Sequence, residues 1–171
     1  MRFNFYAFKA IYLHEMDRFK RTLAQSLISP VLSTSLYFIV FGSVIGGYVE
    51  NIDGISYGSY IVPGLLMLTL LTQSISNTSF GIFFPKFNGT IYEILAAPIS
   101  TFEIVLAFVG AGATKTLIVG CMIFITSLFF VDVSVKYPLL MIFLLLLVSF
   151  TFALFGFLIG LMSTNFEQMS I

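Results

Sequence analysis

The sequence predicts an all-α membrane protein: an N-terminal amphipathic interfacial helix, then four transmembrane helices, with both termini cytoplasmic. Three observations predict it. Only 9% of the 171 residues are charged and 58% are hydrophobic, with a mean hydropathy of +1.04, whereas soluble domains carry about 25% charged residues. Charge-free runs cover Thr22–Val49, Gly54–Pro85 and Tyr137–Phe166, and a fourth, Ile104–Val131, is broken only by Lys115. Each exceeds the roughly 20 apolar residues that cross a hydrocarbon core. Finally, five of the eight basic residues (Arg2, Lys9, Arg18, Lys20 and Arg21) precede the first run.

Residues 3–23 read as the interfacial helix. Phe5, Phe8, Tyr12, Met16, Phe19 and Leu23 fall at helical spacing, with Lys9, Asp17, Arg18 and Arg21 elsewhere on the wheel. Asp17 stands four residues before Arg21, the favourable order for an ion pair. A basic, aromatic helix ahead of a first span lies in the headgroup plane, either as a surface anchor alone or as an anchor that also contacts a cytoplasmic partner. No cleavable signal peptide is expected, because the first apolar run follows 21 polar-rich residues and is too long for a signal core.

The spans are predicted at 26–49, 58–84, 104–131 and 137–163. Between the first two stand Glu50 and Asp53 with no basic residue, whereas the next connection carries Lys86. Basic loops stay cytoplasmic, which places the termini and the connection Asn88–Glu103 inside. Gly42-x-x-x-Gly46, Gly156-x-x-x-Gly160 and a Gly112, Thr116, Gly120 ladder let helices approach closely. Packing within one chain and contact with a second copy are both open. The inner half of span two is polar, from Thr69 to Ser79. Gln73 and Asn77, one turn apart, serve either interhelical hydrogen bonds or the lining of a substrate path. Lys115 lies one to two turns inside span three and is expected to snorkel to the inner interface.

The connection, NGTIYEILAAPISTFE over Asn88–Glu103, is more elaborate than a crossing needs. Thr90 and Glu93 have the spacing of a capping box; Ile91, Ile94 and Leu95 share one face, and Pro98 stops the helix. Ser100 and Glu103 form a second box that starts span three. The segment reads as a short amphipathic helix, 88–98, at the membrane surface, suited to receiving a push from outside the membrane.

Several chemistries are excluded. One cysteine, Cys121, and one histidine, His14, cannot assemble a thiolate or imidazole metal site. Gly110–Thr116 imitates a phosphate loop, but Thr114 stands where glycine is required and no strand precedes it. His14-Glu15 lacks the second histidine of H-E-x-x-H. The sequon-like Asn77-Thr-Ser79 and Asn88-Gly-Thr90 fall in a span and on the cytoplasmic side. No catalytic, cofactor-binding or metal residue is expected.

Tyr60-Ile-Val-Pro63-Gly64-Leu65 and Gly89-Thr90-Ile91-x-Glu93-x-Leu95-x-x-Pro98-Ile99-Ser100-x-x-Glu103 resemble the ABC-2 type permease family, membrane subunits of ATP-driven exporters of polysaccharides, lipid-linked glycans and drugs. The resemblance covers essentially all of 1–171, as a single transmembrane domain. It implies that ATP is bound by a separate ABC ATPase subunit and that two permease copies pair in a cytoplasmic (inner) membrane, with no nucleic acid involved. It further implies that 88–98 is the coupling helix, whose Asn88, Gly89, Thr90, Ile91, Glu93, Ile94, Leu95 and Pro98 meet the ATPase. Family members have six spans, so the sequence is expected to be a fragment or a truncated product. The rival readings are a secondary transporter or channel without an ATPase, and a non-transporting membrane assembly factor.

Overall fold

The computed structural model describes residues 3–45, 56–131 and 135–169. Six helices organise them: α1 (Phe5–Arg21), α2 (Leu23–Tyr37), α3 (Tyr57–Phe87), α4 (Ile91–Ala96), α5 (Thr101–Phe130) and α6 (Pro138–Met162). Four helical stretches are long and apolar enough to cross a membrane: Leu23–Phe41, α3, α5 and α6. The all-α membrane architecture read from the sequence is what the structure contains. The acidic connection with Glu50 and Asp53 lies outside the described residues.

The central helix is α5. Its most apolar stretch is 61% buried, against 28% for α3 and for α6 and 11% for the first span. Small residues make this possible: Ala107, Ala111, Gly112, Ala113, Thr116 and Gly120 are all buried, so neighbours approach on several sides. A Cβ on Gly156 would stand 2.8 Å from Ile75 Cα, and one on Gly160 would stand 2.9 Å from Ser79 Cα. Both contacts advance by one turn in the same direction, so α3 and α6 run parallel. On α5 the order reverses, Gly112 meeting Thr78 and Gly120 meeting Leu70, so α5 is antiparallel to α3. The small-residue motifs of spans three and four therefore pack within the chain. Gly42-x-x-x-Gly46 runs outside the described residues.

The first span is the least regular. Pro30, inside α2, has no N–H to give its own turn, and beyond Tyr37 the helix widens into a π-helix over Phe38–Ile45. Phe38 stacks on Phe130 of α5 at 6.0 Å.

Two devices fasten the ends of α3 and α6. Lys86 Nζ donates to the carbonyls of Leu161, at 2.6 Å, and Ser163, at 2.9 Å, satisfying groups that α6 leaves open at its C-terminus. Phe166, just beyond α6, meets Phe83 and Phe87 edge-on, both at 5.0 Å.

The apolar face of α1 is rotated from the one the sequence spacing suggests. Phe19 is buried and Phe8, Ile11 and Tyr12 are half-buried, but Phe5 is 58% exposed and Leu23 is also exposed. The inward stripe therefore runs Phe8, Ile11, Tyr12, Glu15, Phe19 and includes a carboxylate. The Asp17 carboxylate pairs with Lys20 at 2.9 Å, while Arg21 reaches only the Asp17 carbonyl. Lys20 holds Asp17 below the usual carboxylate range through its hydrogen bond and charge.

Candidate functional site

The candidate site is the turn-and-helix between α3 and α5. The chain leaves α3 at Asn88 and turns through Gly89, whose φ of +80° is the left-handed conformation glycine adopts freely. Thr90 then enters α4 already helical, at φ −62° and ψ −18°, with no side-chain cap bond. The expected Thr90–Glu93 capping box is therefore not formed. A cap residue needs extended backbone to aim its oxygen at the N3 amide, and the Gly89 turn delivers Thr90 in helical geometry instead. The Glu93 carboxylate is left exposed.

Only six residues long, α4 divides into two sides. Ile91 and Ile94 pack on a buried cluster of Ile82 from α3, Ile104, Phe108, Val109 and Ala113 from α5, and Ala153 and Phe157 from α6. Leu95 does not join them; it is 60% exposed, and Tyr92 is 73% exposed. The shared face expected for Ile91, Ile94 and Leu95 thus narrows to the two isoleucines. Asn88, Thr90, Glu93 and Pro98 are exposed and Gly89 is half-buried. Tyr92 is the surface residue that the sequence reading missed; it precedes Glu93 on the outward face.

The helix covers Ile91–Ala96 within the expected 88–98, stopping two residues short of Pro98. Ala97 is extended at ψ 151°, as a residue before proline prefers. Ser100 and Glu103 form the full capping box, with Ser100 N–H donating to Glu103 Oε2 at 2.8 Å. The other Glu103 oxygen accepts from the backbone N–H of Asn4. Asn4 also caps α1, and its side-chain amide donates to the Pro98 carbonyl at 3.4 Å. The start of α1 is thereby hooked to the exit of α4 and the entry of α5, a link that no local spacing could reveal.

Further along α1, Tyr12 Oη donates to Thr114 Oγ1 at 2.9 Å, and Glu15 accepts from Lys115 Nζ at 2.7 Å. Lys115 does not snorkel to water. It is 3% exposed, because α1 lies across the N-terminal half of α5 and supplies the counter-ion.

Comparison with known proteins bears on what this arrangement serves. The family model described as ABC-2 type transporter matches residues 6–171. The chain belongs to the ABC-2 type transporter family. It is 36% identical over all 171 residues to the inner membrane transport permease YadH of Escherichia coli K12, spanning 67% of that protein, and likewise to YadH of Shigella flexneri. No solved structure matches it significantly. It is a transport permease that crosses the inner membrane several times.

The polar stretch of this permease lies on α3. Asn77 Nδ2 donates to Gln73 Oε1 at 3.4 Å, both half-buried, so the two amides pair within one helix instead of across helices. Thr69 and Thr72 bond back to Leu65 and Leu68 carbonyls, as hydroxyls in spans commonly do. Ser74 and Thr78 on α3 and Ser149 on α6 are buried with no hydrogen-bond partner for their hydroxyls. Among the described residues no cluster of His, Cys, Asp or Glu has a metal-binding arrangement.

Proposed function

We propose that the permease is the membrane subunit of an ATP-driven exporter, with both termini and α4 on the cytoplasmic side, where a separate ABC ATPase pushes on α4. The observation that carries this reading is the two-sidedness of α4. Tyr92, Glu93, Leu95 and Pro98 are exposed while Ile91 and Ile94 rest on a cluster shared by α3, α5 and α6. A force on the outer side is delivered to three membrane helices at once, since packed interiors transmit displacement instead of absorbing it. The chain carries no phosphate-loop sequence, so on this reading the hydrolysis occurs in the partner. Asn88, Gly89, Thr90, Glu93, Leu95 and Pro98 form the docking surface with Tyr92, and Ile91 and Ile94 are its anchors. Two permease copies make the transporting unit.

The cargo is a polysaccharide, a lipid-linked glycan or a drug-like molecule. The Gln73–Asn77 edge of α3 is the proposed lining of its path, as it is polar and only half-buried. A secondary transporter fits less well: the one charge within its predicted spans, Lys115, is paired with Glu15 and is not free to carry an ion.

The deciding experiment replaces exposed residues only. Tyr92→Ala with Leu95→Asp in the full-length permease should abolish co-purification of an ATP-hydrolysing subunit and ATP-dependent transport. Membrane insertion and the unfolding midpoint should stay within about 0.5 kcal/mol of the parent, as for most surface changes. An unaltered ATPase association and transport rate would refute the docking surface. Ile94→Asp is not equivalent, because it places a charge in the cluster.

A further inference from the structure

The inward stripe of α1 carries one charged residue, Glu15, between Tyr12 and Phe19. Its Oε2 lies 2.7 Å from Lys115 Nζ and 3.0 Å from Arg18 Nη2. The Glu15 and Lys115 side chains are 2% and 4% exposed, whereas that of Arg18 is 31% exposed. Gly81 of α3 closes the remaining side, where a Cβ would stand 3.4 Å from Glu15 Oε2. One carboxylate oxygen is thus shared by a cation from the same surface helix and a cation from the third span.

We infer that Glu15 is the positioning residue of an α1–α5 clamp, its carboxylate cancelling the two cations, Lys115 and Arg18, that would otherwise hold the helices apart. With Glu15 in place both cations are compensated when α1 is docked; without it, docking would bring Arg18 against a buried Lys115 with no anion, and an unpaired buried charge is far costlier than a paired one. The clamp fixes which elements belong together. Asn4–Glu103, Tyr12–Thr114 and Glu15–Lys115 all lie on one α1–α5 seam, joining helices remote in sequence. Towards its sequence neighbour α2, by contrast, α1 ends at Thr22, whose φ of −107° and ψ of 14° interrupt the helix. The chain's articulation is therefore at Thr22, and α1 belongs mechanically to α5.

The shared oxygen makes the clamp asymmetric. Without Glu15, Lys115 and Arg18 face each other with no anion. Without Lys115, Glu15 keeps Arg18, three residues on and partly hydrated. Removing both Glu15 and Lys115 charges leaves Arg18 alone, near enough to the surface to reach water.

The test is cysteine accessibility in inside-out membrane vesicles carrying the full-length permease. Native cysteines, including the exposed Cys121, are replaced by serine, and the reporter is Ile11→Cys, which replaces a partly buried residue packed on the core cluster. The probe is a charged, impermeant maleimide, and labelling requires neither ATP nor a partner, so this result and the exporter reading can fail separately. Glu15→Gln should raise the labelling rate at least about tenfold, as expected for breaking a buried pair by removing one partner. Lys115→Met should change it by less than about threefold, and the double variant Glu15→Gln/Lys115→Met should return to within about threefold of the parent. The parent rate should also be unmoved by about 1 M salt, because buried pairs are weakly screened. If Glu15→Gln does not accumulate, parental accumulation of the double variant supports the clamp, and its failure to accumulate overturns it. Parental labelling of Glu15→Gln, or a double variant labelled as fast as Glu15→Gln, also overturns it.

Discussion

Gly156→Ala should destabilise the permease by about 1–2 kcal/mol, the cost of forcing extra volume into a packed interface. The added methyl would meet backbone, standing 2.5 Å from the Ile75 carbonyl oxygen and 2.8 Å from Ile75 Cα. Ordinary contact begins at 3.4 Å, so α3 and α6 must part by roughly 0.6 to 0.9 Å at this crossing. A gap of that size forfeits a quarter to a half of each affected dispersion contact, and about 30 atom pairs of ~0.15 kcal/mol each then lose about 1–2 kcal/mol. Backbone atoms cannot rotate aside to relieve it. Gly64→Ala is the matched control: nothing lies within 4 Å of its Cβ position, and alanine is the better helix residue by roughly 0.5–1 kcal/mol. The assay is reversible denaturant unfolding in bicelles, followed by circular dichroism. Equal midpoints for Gly156→Ala and Gly64→Ala would refute the close parallel crossing of α3 and α6.

Two further outcomes are expected. Lys86→Met should cost about 1 kcal/mol, a partly exposed charge-assisted bond being worth less than a buried one, and hydrogen exchange in the last turn of α6 should quicken; an unchanged exchange pattern there would remove Lys86 as the α6 cap. A cysteine at Asn88 should react with an impermeant maleimide in inside-out vesicles but not from outside intact cells; the opposite pattern would invert the proposed topology.

What the sequence discloses well is whatever depends on neighbours along the chain. Span existence follows from charge-free length alone, and α3, α5 and α6 needed no tertiary knowledge. The Ser100–Glu103 box formed because Ser100 is itself extended, at φ −79° and ψ 150°, the backbone a cap requires. The Thr90–Glu93 spacing is just as good and yet failed, because Gly89 turns the chain so that Thr90 is already helical. Spacing states that a box is possible; the backbone conformation of the cap residue itself decides whether it forms. The same limit applies to Leu95. In a helix of six residues, periodicity cannot say where the edge of the buried side falls, and a one-residue error exchanges an anchor for a docking residue.

The buried ion pair marks the other limit. Lys115 stands out in the sequence because it interrupts an apolar run, and with no partner in view the economical reading is that its amine climbs to water. Glu15 carries the complementary signal, standing four residues after Ile11 and four before Phe19 on the stripe that turns inward. A carboxylate at such a position either rotates the helix or finds a cation, and here both happened: the stripe is rotated away from Phe5, and the cation lies 100 positions on. Each charge is anomalous by itself, and the two anomalies cancel only when paired. An acidic residue on the apolar face of a surface helix and a basic residue one to two turns inside a span are therefore best read together, since each is the lowest-cost partner for the other.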